Sequence, residues 1–276
     1  MSKAGTLYIE QDSPIQKMDG SIKFLLIIFW TSSIFLFQDL RVFVVFFILG
    51  ITLLKIAKIP YRSLKPLFIF IILFTIMNSV LLIIITPQFG SSLAHSNHSF
   101  FKLKSYDLSY ETLWFALSLS MKYLSIFPIM MLFIFTTHPS KFASSLNKIG
   151  VSYKVAYAIN IALRYIPDIK DEFVNIMHAQ EARGLSFRKE DANIYTRLKN
   201  YNAVLIPLVL SSLNKIELIS NAMDLRGFGK YKKRTWYSWQ AYKKRDIFAL
   251  VSMVLMLLIC IVLKNTILGN FWYPFS

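Results

Sequence analysis

"LFIFIILFTIMNSVLLIIIT", residues 67–86, is a run of twenty residues without a charged side chain. A helix of this length extends about 30 Å, which is the thickness of the hydrocarbon core of a bilayer. Pro87 follows directly and disfavours continuation of the helix. The run therefore predicts a membrane-spanning helix.

The composition supports a membrane protein. The chain has 276 residues, of which 55% are hydrophobic, and its mean hydropathy is +0.49. A soluble domain of this length does not need so much apolar surface. The formal net charge of +16 fits basic residues collected on the cytoplasmic side of a membrane, so no nucleic-acid partner is predicted. The single cysteine, Cys260, excludes a disulfide framework and a cysteine metal site.

Four further apolar segments bring the expected number of transmembrane helices to about five. The first two, with sixteen residues each, extend only about 24 Å and form a predicted helical hairpin. The segments are Ile22–Phe37, Val42–Ala57, Thr112–Phe135 and Ile247–Leu263. The predicted fold class is an all-α, polytopic membrane protein.

The distribution of basic residues predicts the orientation. If all five segments cross and the N-terminus is cytoplasmic, then residues 1–23, 55–65 and 137–245 face the cytoplasm. Those segments hold 26 of the 31 Lys and Arg residues. This asymmetry predicts a multi-pass membrane protein with a cytoplasmic N-terminus. The predicted regions are a membrane region at 1–136, a cytoplasmic or interfacial region at 137–245 and a C-terminal helix with its tail at 246–276.

The region 137–245 is too long for a simple connection between two spans. Apolar residues at three- and four-residue steps predict two long amphipathic helices, about Ser152–Ala182 and about Tyr195–Leu225. Such helices lie on or partly within a membrane without crossing it. Each contains a proline after isoleucine, Pro167 and Pro207, which predicts a kink.

A repeated phrase closes the two predicted helices: "HAQEARGLSF" at 178–187 and "NAMDLRGFGK" at 221–230. One interpretation is structural, because glycine past a helix end allows the left-handed closing turn and arginine suits the negative end of the helix dipole. Two such endings in register favour a second interpretation, in which each helix is a plug with an exposed guanidinium that engages a carboxylate. Two plugs indicate a dimeric or pseudo-dimeric partner. The aligned positions are Ala179, Glu181, Arg183 and Gly184 in the first phrase, and Ala222, Asp224, Arg226 and Gly227 in the second.

These residues resemble the T component, or transmembrane scaffold, of energy-coupling factor (ECF) transporters. The family carries two cytoplasmic helices ending in Ala-Arg-Gly-like motifs, here "AQEARGL" and "AMDLRGFG", with Leu225 where alanine is common. Other matching stretches are "PIQKMDGSIKFLL", "IALRYIPDI" and "RTWYSWQAYKKRD", the last of which includes Arg234, Thr235 and Asp246. The resemblance covers most of residues 14–263.

The resemblance implies a non-catalytic coupling subunit of an ABC-type importer in a prokaryotic plasma membrane. Its partners would be two cytoplasmic ATPase subunits, as a homo- or heterodimer, and one small membrane substrate-binding subunit within the lipid bilayer. ATP and Mg would be bound by the ATPase subunits, and this chain would bind no cofactor or metal. The cargo would be a vitamin or another micronutrient. The implied coupling residues are Ala182, Arg183, Gly184, Leu225, Arg226 and Gly227, with support from Ala179, Glu181, Ala222 and Asp224.

Two other function classes remain as alternatives. An integral membrane enzyme of lipid metabolism would need acidic residues clustered at the membrane boundary, whereas the 15 Asp and Glu residues are scattered. A stand-alone secondary transporter would place polar residues at mid-membrane, for which only Lys122 and Asn78 qualify. The chain also lacks a phosphate-binding P-loop, because Gly229-Lys230-Tyr231 is the nearest fragment.

Several further residues have an ordinary structural interpretation. His95 and His98 lie three apart but in a Ser- and Asn-rich stretch, which favours a solvated loop over a metal pair. Lys122 lies near the middle of a predicted span, where a charged side chain is costly. We interpret it as a structural contact between helices in preference to a residue that takes part in transport. Asp168, Asp171 and Glu172 favour a solvated helix face. The aromatic and basic residues of 231–242 favour an anchor at the membrane interface.

Overall fold

The structure is a computed structural model that describes residues 8–94, 99–103, 106–187, 193–231, 236 and 241–266. Within these ranges the chain forms nine α-helices and one antiparallel β-hairpin, β1 (Ser99–Leu103) with β2 (Tyr106–Ser109). The helices are α1 (Gly20–Phe35), α2 (Leu40–Ile56), α3 (Tyr61–Ile85), α4 (Phe89–Ala94), α5 (Tyr110–Thr136), α6 (Pro139–Lys148), α7 (Tyr153–Ala182), α8 (Ile194–Leu225) and α9 (Lys244–Thr266).

The chain divides into two compact units. The first comprises the described residues of 7–137 and 240–276, and the second comprises those of 138–239. The first unit therefore holds α1 to α5, the hairpin and α9, whereas the second holds α6, α7 and α8.

The core of the first unit forms where α2 crosses α5. A Cβ added to Gly50 of α2 would lie 2.8 Å from Cβ of Pro128 in α5, so only glycine permits this approach. Trp30 of α1 packs edge-on against Phe46 with ring centroids 4.9 Å apart, and its indole N–H donates to the carbonyl of Ser125 at 3.1 Å. A large apolar residue is thus buried with its one polar atom satisfied.

A buried polar cluster joins the N-terminal ends of α1 and α9. We call this cluster, which consists of Asp19, Lys23 and Asp246, the α1–α9 clasp. The Asp246 carboxylate accepts the backbone N–H groups of Asp19 and Lys243 at 3.1 and 2.8 Å. The Lys23 ammonium donates to the carbonyl oxygens of Gln16 and Thr136 at 3.2 and 2.9 Å. These charged groups are buried and hydrogen-bonded, as buried polar groups must be.

The prediction of an all-α polytopic membrane protein is confirmed, with the short hairpin as a small addition that the sequence pattern did not predict. Among the described residues, four helices are long and apolar enough to cross a membrane, namely α3, α5, α8 and α9, and α1 is a shorter apolar helix. By length and composition α8 qualifies as a span, although its pattern predicted a helix that does not cross. The arrangement of α8 relative to a bilayer stays a prediction.

Candidate functional site: two arginine-tipped helix ends

The first tip (residues 182–185) closes α7 by a Schellman motif. Arg183 is the C-cap, and Gly184 has a positive φ of 89°. The backbone N–H of Leu185 donates to the carbonyl of Gln180 at 3.1 Å, and that of Gly184 donates to the carbonyl of Glu181 at 2.9 Å. Both are the bonds that define this closure.

The second tip (residues 225–228) closes α8 in the same way. Arg226 is the C-cap and Gly227 has a φ of 67°. The N–H of Phe228 donates to the carbonyl of Met223, and that of Gly227 to the carbonyl of Asp224, each at 2.9 Å. The repeated phrase therefore makes the same local structure twice.

The end of α6 separates the role of glycine from that of arginine. Gly150 has a φ of 106°, and Val151 and Gly150 make the equivalent backbone bonds to Leu146 and Asn147 at 3.1 and 3.2 Å. The cap residue there is Ile149. A helix in this chain thus closes by glycine without an arginine at the cap, so closure alone does not explain Arg183 and Arg226.

The two tips present their side chains to the surroundings. Ala182, Arg183, Arg226 and Leu225 are exposed, and Leu225 is 90% exposed. Within the described part of the chain, no hydrogen bond or ion pair ties either guanidinium to another group, whereas Glu181 contacts His178 Nδ1 at 3.1 Å. Both planar forks are therefore available for a carboxylate partner.

Contacts between α7 and α8 show that the two helices run antiparallel. Near the end of α7, Gln180 donates to the carbonyl of Ala203 at 3.3 Å. Just past that end, Asn200 donates to the carbonyl of Ser186 at 2.8 Å. Residues Asn200 and Ala203 belong to the beginning of α8, so the first tip lies at the start of α8.

At the other end of the pair, the second tip packs against the beginning of α7. The Phe228 ring lies 5.5 Å from the Tyr153 ring and 4.9 Å from the Tyr157 ring, measured between centroids. Tyr153, Arg226, Gly227, Lys230 and Tyr231 line a cleft of about 300 Å³ there. These aromatic supports were not predicted from the sequence, although Tyr153 and Tyr157 are four residues apart and so share one helix face.

One charged contact ties the middle of the pair together, and we call it the Glu172 tie. The Glu172 carboxylate accepts hydrogen bonds from the Lys215 ammonium, at 2.5 Å, and from the Ser211 hydroxyl. These bonds, first from Lys215 and then from Ser211, hold the pKa of Glu172 below its usual value. The sequence pattern had favoured a solvated face for Glu172, and the structure shows a contact between the helices instead, while Asp168 and Asp171 are exposed.

Both prolines expected to kink the helices lie inside continuous helices, Pro167 in α7 and Pro207 in α8. Each removes one backbone hydrogen bond. Glu172 and Ser211 follow their prolines by five and four residues, so the Glu172 tie lies about one turn beyond both.

The structure also locates the residues predicted to support the tips and the other candidate functional residues. Ala179, Ala222 and Asp224 are exposed on the last turns of their helices. Lys122 lies with its ammonium 4.4 Å from the centre of the Phe35 ring, inside the first unit. The described residues contain no group of three metal-ligating side chains, and His95, His98, Arg234 and Thr235 lie outside them.

Apolar spans in one unit and a pair of arginine-tipped helices in the other define a polytopic membrane scaffold. The chain belongs to the CbiQ family, described as cobalt transport protein, whose sequence model matches residues 11–237.

Curated relatives agree with this family and cover nearly the whole chain. The chain is 30% identical to the energy-coupling factor transporter transmembrane protein EcfT of Lactococcus lactis subsp. cremoris, over 92% of this chain and 95% of that protein. It is 27% identical to the EcfT of Clostridium kluyveri and 28% identical to that of Leuconostoc gelidum, with 96% of each chain covered in both comparisons. The resemblance to the transmembrane component of ECF transporters is thus confirmed, and the chain is a membrane subunit of a transporter.

Proposed function

We propose that this chain couples two ATPase subunits to a substrate-binding membrane subunit, so that closure of the ATPase pair drives uptake of a micronutrient. The two arginine tips are the contacts with the ATPase subunits. Each ATPase subunit contributes an acidic socket, because a carboxylate pairs bidentately with a guanidinium. ATP and Mg are bound by those subunits, and this chain binds no cofactor.

One observation carries the proposal: two equivalent tips lie at opposite ends of an antiparallel helix pair. Similar helices running antiparallel are related by an approximate two-fold rotation, which also relates the two subunits of a dimer. Along α8, Asn200 at the first tip and Arg226 at the second are separated by 26 residues, or about 39 Å for a straight helix. The two sockets therefore belong to two different subunits of a homo- or heterodimer.

The Glu172 tie makes the pair suitable for transmission. A rigid link between α7 and α8 converts a change in the distance between the two sockets into a change in the angle between the helices. The apolar residues Val155 and Ile166 of α7, and Leu205, Ile206 and Val209 of α8, are exposed in the chain alone. Such faces fit the lipid bilayer and the substrate-binding subunit, to which the motion is passed.

The proposed location is the plasma membrane of a prokaryote, with the N-terminus and both tips on the cytoplasmic side, as the basic residues predict. The family description names cobalt transport, and the names of the relatives refer to energy-coupling factor transporters. The cargo of this chain is proposed to be a vitamin or another micronutrient, selected by the substrate-binding subunit.

The test removes both guanidinium groups. Arg183→Ala with Arg226→Ala is expected to leave membrane insertion intact and to abolish co-purification of the ATPase subunits and cargo uptake. Each desolvated pair that is lost costs roughly 2–5 kcal/mol of docking. Arg164→Ala, an exposed arginine of α7 away from the tips, is the matched control and should keep both properties. Normal uptake by the double variant would refute the proposal.

A further inference from the structure

An apolar groove runs along the first unit between α2 and α9, and we call it the α2–α9 groove. Val45, Phe46 and Leu49 line it from α2, and Leu255, Ile259 and Cys260 line it from α9. Its volume of about 490 Å³ falls in the usual range of ligand sites, roughly 300–1,000 Å³. Its lining is almost wholly apolar, so an occupant must be apolar along this length.

The length of the groove matches one leaflet of a bilayer. From Arg41 to Leu49 the α2 wall extends about 12 Å, and from Ser252 to Leu263 the α9 wall extends about 16 Å. Half of a hydrocarbon core of about 30 Å is about 15 Å. A groove of this length that starts at the ends of α2 and α9 would cover about one leaflet.

Two cations stand at the boundary end of the groove. Arg41 lines that end, and Lys264 follows the lining residue Leu263 in the last turn of α9. Both side chains are exposed. The end of the groove thus carries two exposed cationic side chains.

An apolar slot one leaflet deep with two cations at its boundary end fits an amphiphile with an anionic head. We propose that the α2–α9 groove binds one acyl chain of an anionic phospholipid, with the phosphate at Arg41 and Lys264. A protein helix fits less well, because a helix about 10 Å across and 12 Å long fills about 900 Å³, nearly twice the volume of the groove. The inference does not depend on the proposed coupling function, since it concerns the first unit alone.

The test measures lipid binding to the full chain purified in detergent, by native mass spectrometry. The probes are phosphatidylglycerol and phosphatidylcholine with identical acyl chains. Phosphatidylglycerol is expected to bind about fivefold or more tightly, because each basic residue near a membrane surface attracts anionic lipid. Arg41→Gln with Lys264→Gln should remove that preference. Arg62→Gln with Lys65→Gln, an equal loss of exposed charge at the start of α3, should retain it.

A second pair of variants tests the groove itself. Ile259→Trp fills the slot and should reduce retention of phosphatidylglycerol by at least about fivefold, whereas Ile76→Trp on the exposed face of α3 should not. Occupancy should also slow modification of Cys260, the only cysteine of the chain, by a small maleimide. Equal binding of the two lipids, or unchanged retention by Ile259→Trp, would overturn the proposal. So would protection of Cys260 by the substrate-binding subunit and not by lipid.

Discussion

At each tip glycine and arginine have separate roles. A Cβ added to Gly184 or Gly227 meets no atom within 4 Å, so space does not demand glycine there. The positive φ does, because a side chain in the left-handed region costs roughly 1–2 kcal/mol. Glycine therefore sets the direction in which the chain leaves the helix. The arginine side chain is not needed for this closure and is available for binding.

Alanine at the tip glycines is the first prediction. Gly184→Ala and Gly227→Ala should each destabilise the local helix end by roughly 1–2 kcal/mol and weaken association with the ATPase subunits. Gly150→Ala strains the same kind of helix end, where no arginine stands, and should leave association unchanged. Hydrogen exchange at the helix ends and co-purification of the ATPase subunits measure the two effects. Equal loss of association in all three variants would contradict a special role for the tips.

Lysine in place of the tip arginines is the second prediction. Arg183→Lys with Arg226→Lys keeps both charges and removes the planar fork that engages a carboxylate with two bonds. The affinity for the ATPase pair, measured with the chain in nanodiscs, should fall between that of the natural chain and that of the double alanine variant. An affinity equal to that of the natural chain would show that charge alone is sufficient.

At the scale of the elements, contacts between α7 and α8 fix the orientation of the two helices relative to each other. The Glu172 tie and the packing of Phe228 on Tyr153 and Tyr157 connect the pair at its middle and at one end. Gln180 and Asn200 connect the other end. The separation of the two tips is thus set by contacts along the whole pair.

Acid should loosen this pair, which is the third prediction. The pKa of Glu172 is lowered in the folded chain, so its contribution is present above the usual Glu value of 4.5 and is lost as the pH falls through the lowered pKa. Glu172→Gln should widen the distribution of tip-to-tip distances at neutral pH and remove this part of the acid response. Spin labels at Ala179→Cys and Ala222→Cys in a Cys260→Ser background measure the distances.

Glu217→Gln on α8 is the control for that experiment. Glu217 is exposed and should leave the distances unchanged at neutral pH. A distribution for Glu172→Gln that matches this control would mean that the tie does not set the tip separation.

At the scale of the whole molecule, the α1–α9 clasp holds together helices that are more than two hundred residues apart in sequence. The fourth prediction is that Asp246→Ala lowers the stability of the first unit by about 1–3 kcal/mol, because the buried N–H of Asp19 loses its acceptor. Asp168→Ala, at an exposed acid, should have little effect. Thermal unfolding in detergent compares the two variants, and equal midpoints would contradict a role for the clasp.

The orientation of the chain is the fifth prediction. In a Cys260→Ser background, single cysteines at Lys65 and Lys154 should react with a membrane-impermeant thiol reagent only after the cytoplasmic side is opened. A cysteine at Gln88 should react from outside in intact cells. All three positions are exposed, so access depends on the side of the membrane. The opposite labelling pattern would reverse the orientation that the basic residues predict.

Local patterns allowed the helices to be predicted closely. The run 67–86 became most of α3, and the expected helix ends at Ala182 and Leu225 agree with the structure to the residue. Apolar periodicity, proline and the glycine closure act over a few residues, so their consequences are readable along the chain. The same patterns did not indicate the hairpin at 99–109.

The sequence by itself determined the class of protein, the existence of its long helices and the presence of two equivalent arginine–glycine ends, because these follow from hydropathy and from backbone preferences of neighbouring residues. Only the tertiary structure decided that α7 and α8 run antiparallel, that Glu172 joins Lys215 and that Gly50 admits Pro128. The last two contacts connect residues 43 and 78 positions apart. Their geometry depends on which surfaces meet when the chain folds, and no local pattern specifies it.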